Sequence, residues 1–402
     1  MANRLYLHIG TPKSGTTYLQ DVLATNKQAL ATEARLLFPG ISWQDQVLAV
    51  RELREGKTAD EPRVEGAWQR LVDEIDSWQG DAVVSMEWLG SARPEQVRRA
   101  IQSFPSTEVS AIITARSLAR IVPAAWQECC QNQRTCTWED FLTAIAGEQG
   151  ATAGAGRQFW RQQNLTRVLD TWLAVLPRSR VRVVTVPDSL GEPSLLWARF
   201  CEAIDLKEPD RYASTNAPAN PSLGLQSSEL MRRVNEVINA SGIDPRVYER
   251  VFKRGLAKQT LSTRRTVERS PIIPVRYHSW LSERSRSMVS EIVRREVSVI
   301  GDLADLAVIR DPAAAGADDS NNDVTAEEVL EVALAGFIEL VRRQDDENYQ
   351  LREELGRRGS QHASGVLGQR VRTLIAARTP LSLVAWPGPA GRSPRRKADN
   401  GR

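Results

Sequence analysis

Histidine, cysteine and long apolar runs are all scarce in this sequence, and each scarcity removes a class of function. Four cysteines and three histidines among 402 residues leave little for a metal site. Cys129 and Cys130 are adjacent and Cys136 follows, but no paired CxxC spacing occurs, so free thiols in a reducing compartment are expected and a metal centre is not. No stretch reaches the roughly 18 uninterrupted apolar residues of a membrane span, and MANRLYLHIG has no long apolar core behind Arg4; the sequence therefore predicts a cytosolic (cytoplasmic) protein. A strong excess of one charge is also missing. The formal net charge is +3 with 26% charged residues, and without a basic recognition motif this disfavours nucleic acid as a partner. The length suggests about two to three domain-sized units.

What is present is concentrated near the start, in LYLHIGTPKSGTTYLQ, residues 5–20. Leu5 to His8 have the look of a buried strand. After a Gly- and Thr-rich turn, Tyr18, Leu19, Val22 and Leu23 recur at helical spacing, so the order is strand, tight loop, helix. Gly10 and Gly15 let the backbone curl until its N–H groups converge on one concavity, and the helix start adds partial positive charge. Lys13, Ser14, Thr16 and Thr17 supply a cation and three hydroxyls suited to a terminal phosphate or a sulfuryl-bearing group. GTPKSGTT keeps the Gly-x4-Gly spacing of the ordinary P-loop, but Thr16 and Thr17 stand where that motif has Lys and a magnesium-binding hydroxyl. The lysine has moved into the loop.

In these residues the chain resembles the sulfotransferase family, whose 5'-phosphosulfate loop reads much like PKSGTT. The resemblance implies a P-loop-like fold that binds the sulfate donor 3'-phosphoadenosine 5'-phosphosulfate (PAPS) through Pro12, Lys13, Ser14, Gly15, Thr16 and Thr17, with no metal required. It also implies that the strand EVSAIITAR ends in a 3'-phosphate ligand, Arg116. The family's partner serine eight positions on is replaced here by Ala124, and Ser117 is the substitute hydroxyl. The acceptor class stays open: a carbohydrate, glycolipid, peptide or other small molecule offering a hydroxyl or amine.

Glu87 follows the β-rich run Ala82 to Ser85. Ligands of open parallel sheets gather at the carboxyl ends of strands, so Glu87 is the candidate general base, sharing the mouth with Lys13, unless it serves as a surface or arginine-paired carboxylate. His8 competes for that role, although a histidine within a strand is more often buried with its ring satisfied. Gln127, Glu128 and Arg134 are candidates for the acceptor cleft. The basic run Lys253, Arg254, Lys258, Arg264 and Arg265 suits either an anion or a solvated face.

The alternation of strand and helix to about residue 206 predicts a three-layer α/β domain with a mostly parallel sheet. Residues up to 80 beyond the first helix read as helical, with Trp43, Trp68 and Trp78 as core or as an acceptor-stacking surface. Residues 147–158 read as a flexible lid or acceptor loop, 159–177 as one amphipathic helix, and Pro94 as the start of a helix capped by Ser91 or the nearby turn. The domain is expected over 1–310, followed by a linker (311–323), a long amphipathic helix (324–359) and a basic tail (360–402). The helix stripe suits a homodimer or docking on the body, and the tail's arginines suit an anionic membrane surface or solvent.

Overall fold

Four of the five residues of β1 (Arg4–His8) are buried, because a central parallel strand is covered by helices on both faces and carries no exposed polar alternation. The computed structural model describes residues 2–56, 63–147, 154–187, 193–213, 222–307 and 322–361. β1 pairs in parallel with β3 (Asp81–Ser85) on one side and β4 (Glu108–Ala115) on the other. With β2 (Leu36–Leu37), β5 (Val181–Thr185) and β6 (Ser298–Ile300) they form a six-stranded parallel sheet in the order β2-β3-β1-β4-β5-β6. The stretch up to residue 80 is thus not helical throughout. Leu36 and Leu37 pair with Asp81 and Ala82, and two residues are too few to show a strand period.

One face of the sheet is covered by α1 (Thr16–Thr25), α2 (Lys27–Glu33) and α10 (Pro193–Ala203), where Leu19, Val22, Leu30 and Phe200 meet Tyr6, Val83 and Ile112. The other is covered by α3 (Trp43–Glu55), α4 (Ala67–Ser77), α5 (Pro94–Gln102), α9 (Leu165–Leu173) and α13 (His278–Arg294). Leu48, Leu71, Val97, Val168 and Ile292 there face Leu5, Leu7, Ala82 and Ala111. Phe200 lies edge-on to His8 with ring centroids 5.0 Å apart. Burying such a ring is worth roughly 1.5–3 kcal/mol, and it fixes the end of β1 where the loop begins.

A third apolar cluster joins α6 (Leu118–Gln131), α7 (Trp138–Ala146), α8 (Gly154–Gln163) and α11 (Leu225–Ser241). To it is added a wide π-type helix, Tyr248–Thr260, that continues from α12 (Pro245–Val247). Thr137 caps α7 through the Asp140 N–H at 3.1 Å, as its sequence predicts. Two expectations change. Residues 154–158 belong to α8 rather than to a lid, and residues 148–153 lie outside the described residues. The single helix expected over 159–177 is broken at Asn164, whose side chain accepts from the Arg167 N–H at 3.0 Å and starts α9. The cap of α5 falls in the turn just after Ser91, at Arg93, where Gln96 reaches back to the Arg93 N–H at 2.8 Å. Trp68 is buried and Trp43 and Trp78 pack on the same core, so none is a free stacking surface. All four cysteines are free thiols.

Contacts divide the chain after Phe337. In the first unit α14 (Ala326–Gln361) begins by burying Val329 and Val332 in the third cluster. In the second unit the same helix continues with Ile338, Val341, Leu351 and Leu355 exposed. Most of the expected linker (311–321) and the tail beyond residue 361 lie outside the described residues. Among those described, no helix is long and apolar enough to cross a membrane.

β1 leads into α1 on one face, whereas the neighbouring β3 leads toward α5 on the other. Adjacent strands with connections to opposite faces leave a crevice at their carboxyl ends. The loop after β1 and the turn after β3 therefore border the same opening.

Candidate active site

Every carbonyl from Thr11 to Lys13 is taken by a protein donor. Ser14 Oγ donates to the Thr11 carbonyl, Gln163 Nε2 to that of Pro12 at 2.9 Å, and an Arg116 guanidinium nitrogen to that of Lys13 at 3.3 Å. In a trans peptide the N–H points opposite to the C=O, so the amides of Lys13 and Ser14 face away from these anchors. Gly10, Lys13 and Gly15 all have left-handed backbone, with φ of 80°, 67° and 81°. Gly15 caps α1 without any side-chain hydrogen bond. Among the described residues no protein acceptor receives the N–H groups of Lys13 to Thr17. The loop is thus a nest of converging donors at an open helix start, a geometry suited to an anion.

The side chains of the loop divide into two sets. Ser14 is fully buried and its hydroxyl lies 2.5 Å from Thr114 Oγ1 on β4, so it braces the loop from below instead of adding a hydroxyl to the concavity. Thr16 and Thr17 have no hydrogen-bond partner for their hydroxyls among the described residues, and Pro12 contributes its anchored carbonyl. Lys13 pairs with Glu128 of α6 at 3.2 Å, both side chains being partly exposed. Lys258, from the π-type helix, joins this corner. Partial burial first, and then the like charges of Lys253 and Lys13, lower its pKa.

Glu87 opens a short turn, Glu87–Ser91, at the end of β3. A Cβ placed on Gly10 would come within 2.7 Å of the Glu87 Cβ, so the carboxylate stands directly beside the loop and glycine is required there. Gln20 of α1 donates to Glu87 Oε2 at 3.0 Å and to the Ser85 carbonyl at 3.2 Å, which orients the carboxylate from the loop helix itself.

His8 is fully buried. Its Nδ1 lies 2.7 Å from Ser85 Oγ and its Nε2 3.1 Å from Thr114 Oγ1, and burial pushes its pKa down to about 3. It is a neutral strut between β3, β1 and β4, with no ring nitrogen left for a substrate. Ser117 is 2% exposed and donates to the Ala307 carbonyl at 3.2 Å, so its hydroxyl ties α6 to the chain after β6. Gln127 is likewise buried, donating to the Leu223 carbonyl at 2.5 Å, and does not line a cleft. Arg134 does line one. Of the basic run, Lys253 and Arg264 are paired with Glu249 and Glu268, and only Lys258 reaches the loop corner.

The geometry therefore gathers the 12–17 loop, Arg116 and Glu87 at one opening, and adds Gln20, Glu128, Gln163 and Lys258. Gln20 had a signal of sorts, one helical turn beyond Thr16. Glu128 and Lys258 stand out in the sequence as cleft and anion candidates, but nothing there ties either to Lys13, and Gln163 gives no signal, because their partners are more than a hundred residues away in sequence. Among the described residues no group of three or more His, Cys, Asp or Glu side chains is placed to hold a metal ion.

No family model matches the chain, and no curated protein matches it. Among solved structures, that of a sulfotransferase from Alicyclobacillus acidocaldarius is similar, with a TM-score of 0.36 and 16% identity, covering 62% of this chain and 100% of that one.

Proposed function

We propose that this chain is a PAPS-dependent sulfotransferase, acting on a hydroxyl or amine of a carbohydrate or other small acceptor. The observation that supports this reading best is the loop whose carbonyls from Thr11 to Lys13 are anchored on the protein while its amides and Lys13 face the opening. Such a site fits the 5' end of the donor: converging amides and an open helix start bind its oxygens, and Lys13 supplies a cation within the loop. Arg116 sits close enough to bond the Lys13 carbonyl, and its fork geometry suits the donor's second phosphate.

In this reading the acceptor oxygen attacks sulfur, a new O–S bond forms, and the bond from sulfur to the 5'-phosphate oxygen breaks. The proton of the acceptor hydroxyl goes to Glu87, held in place by Gln20. Charge developing on the sulfuryl oxygens and the departing phosphate is met by Lys13 and the loop amides. The protein's work is positioning and electrostatics, as in phosphoryl transfer, and 3',5'-bisphosphoadenosine is released.

Calorimetric titration tests the reading against an ATP-dependent kinase that would use the same loop. With a chelator present, 3',5'-bisphosphoadenosine is expected to bind saturably and to compete with ATP. Tight binding of ATP with magnesium, and none of the bisphosphate, would favour the kinase.

A further inference from the structure

Beside the opening, five arginines gather with little to balance them. Arg157 and Arg161 lie one turn apart on α8, and with Arg134, Thr135 and Gln158 they line a cleft of about 460 Å³ with no carboxylate among the described residues that line it. Among the described residues none of these three guanidinium groups has a hydrogen bond or ion pair. Behind them stand Arg54 of α3 and Arg167 of α9, whose Nε atoms are both buried without a partner. The pKa of Arg54 is lowered by burial and then by Arg161, and that of Arg167 by burial and then by Arg161. Glu55 partly offsets the charge of Arg54, and three acids on these or adjoining segments have other partners. Glu55 pairs with Arg51 at 3.3 Å, Glu95 with Arg93, and Glu128, next to the cleft-lining Cys129, with Lys13. Folded proteins seldom gather like charges and strand buried donors without a counter-charge, so the missing anion is one supplied from outside.

The cleft is tied to the opening through the backbone. Gln163, at the end of α8, holds the Pro12 carbonyl, and Arg167 donates to the carbonyl of Gly90 at 3.4 Å in the turn that begins with Glu87. We infer that this cleft is the acceptor subsite and that the acceptor is an acidic saccharide, carrying its nucleophilic hydroxyl toward Glu87 and two or more carboxylate or sulfate groups on the arginines. This rests on the sulfuryl-transfer reading. A peptide is the poorer fit, since peptide recognition leans on large apolar anchors, and the described lining residues offer only Gly154, Ala155 and two cysteines beside the polar groups. Guanidinium forks suit carboxylate and sulfate oxygens, and Thr135 and Gln158 suit sugar hydroxyls.

The test titrates full-length protein with oligosaccharides of hyaluronan and polygalacturonate, with their carboxyl-reduced counterparts, and with an oligoglutamate peptide. Separate titrations use 3',5'-bisphosphoadenosine. The acidic saccharides are expected to bind about tenfold or more tightly than the reduced ones, more weakly as salt rises, and to lose about tenfold in Arg157→Ala/Arg161→Ala. Unchanged bisphosphate binding by that variant shows that it is folded. Equal binding of acidic and reduced saccharides, undiminished binding by the variant, or binding of the peptide as tight as that of the saccharides overturns the inference. Failure of the parent protein to bind the bisphosphate, with acidic saccharides still bound, instead overturns the sulfuryl-transfer reading and leaves the anion cleft standing.

Discussion

The loop side of the opening comes from one run, residues 8–20, seated on β4, whereas the opposite side is assembled from α3, α6, α8, α9 and the π-type helix. The first is buried and hydrogen-bonded in depth: His8, Thr114 and Ser14 form a chain beneath the loop, and the carbonyls of Thr11, Pro12 and Lys13 are engaged. The second is partly exposed, cationic and short of partners, with Arg134, Arg157 and Arg161 unpaired among the described residues around open space. The contrast teaches that the two sides have different tasks. In the proposed reading, the donor common to every turnover is met by fixed backbone donors, and the acceptor that decides specificity by side chains on separate helices.

Glu87→Gln probes the seam between the two sides and carries the largest expected effect. It keeps the hydrogen bond from Gln20 within reach but cannot accept a proton, so kcat for sulfuryl transfer is expected to fall about 10²-fold or more while bisphosphate affinity stays within about twofold. Retention of full kcat would move the base elsewhere and dissolve the seam.

The buried side should show itself in pH-dependent stability. The His8 pKa, pushed down to about 3 by burial, lies below its value near 6.5 in an unfolded chain. The unfolded state therefore binds the proton first, and the stability held by neutral His8 is complete above about pH 6.5 and lost as pH falls toward 3. The slope is up to about 1.4 kcal/mol per pH unit in that window. Urea midpoints measured across it should show this slope in the parent and lack it in His8→Asn.

The smallest effect is expected where the exposed side touches the loop. Glu128→Gln frees Lys13 from a partly exposed ion pair worth about 1 kcal/mol or less, so bisphosphate affinity should rise by no more than about fivefold. A fall would mean that Glu128 positions Lys13 instead of competing for it.

The same contrast explains how much the sequence revealed. The central strands, the layered α/β form and the strand-loop-helix around Lys13 were legible because they are local and periodic. So was the placement of Glu87 after β3, since a strand end points to the mouth of a parallel sheet. The direction of a hydroxyl was not. Ser14 turns down to Thr114 and Ser117 across to Ala307, and both choices depend on strands far apart in the chain. The two-residue β2 carried no period to read, and the break at Asn164 hid inside a continuous apolar stripe. Lys258 and Arg134 were legible as candidates, but their placement beside Lys13 and beside Arg157 and Arg161 was not, because only the packing of distant helices brings them together.

The claim on which everything turns is that the Lys13 loop grips an anionic sulfuryl donor. Calorimetric titration of the parent and of Lys13→Ala with 3',5'-bisphosphoadenosine, in the presence of a chelator, tests it most directly. The account predicts one saturable site in the parent and affinity about tenfold or more weaker in Lys13→Ala, as expected for loss of a charge-assisted contact. Equal affinity in the two proteins, or no binding by the parent, would contradict it.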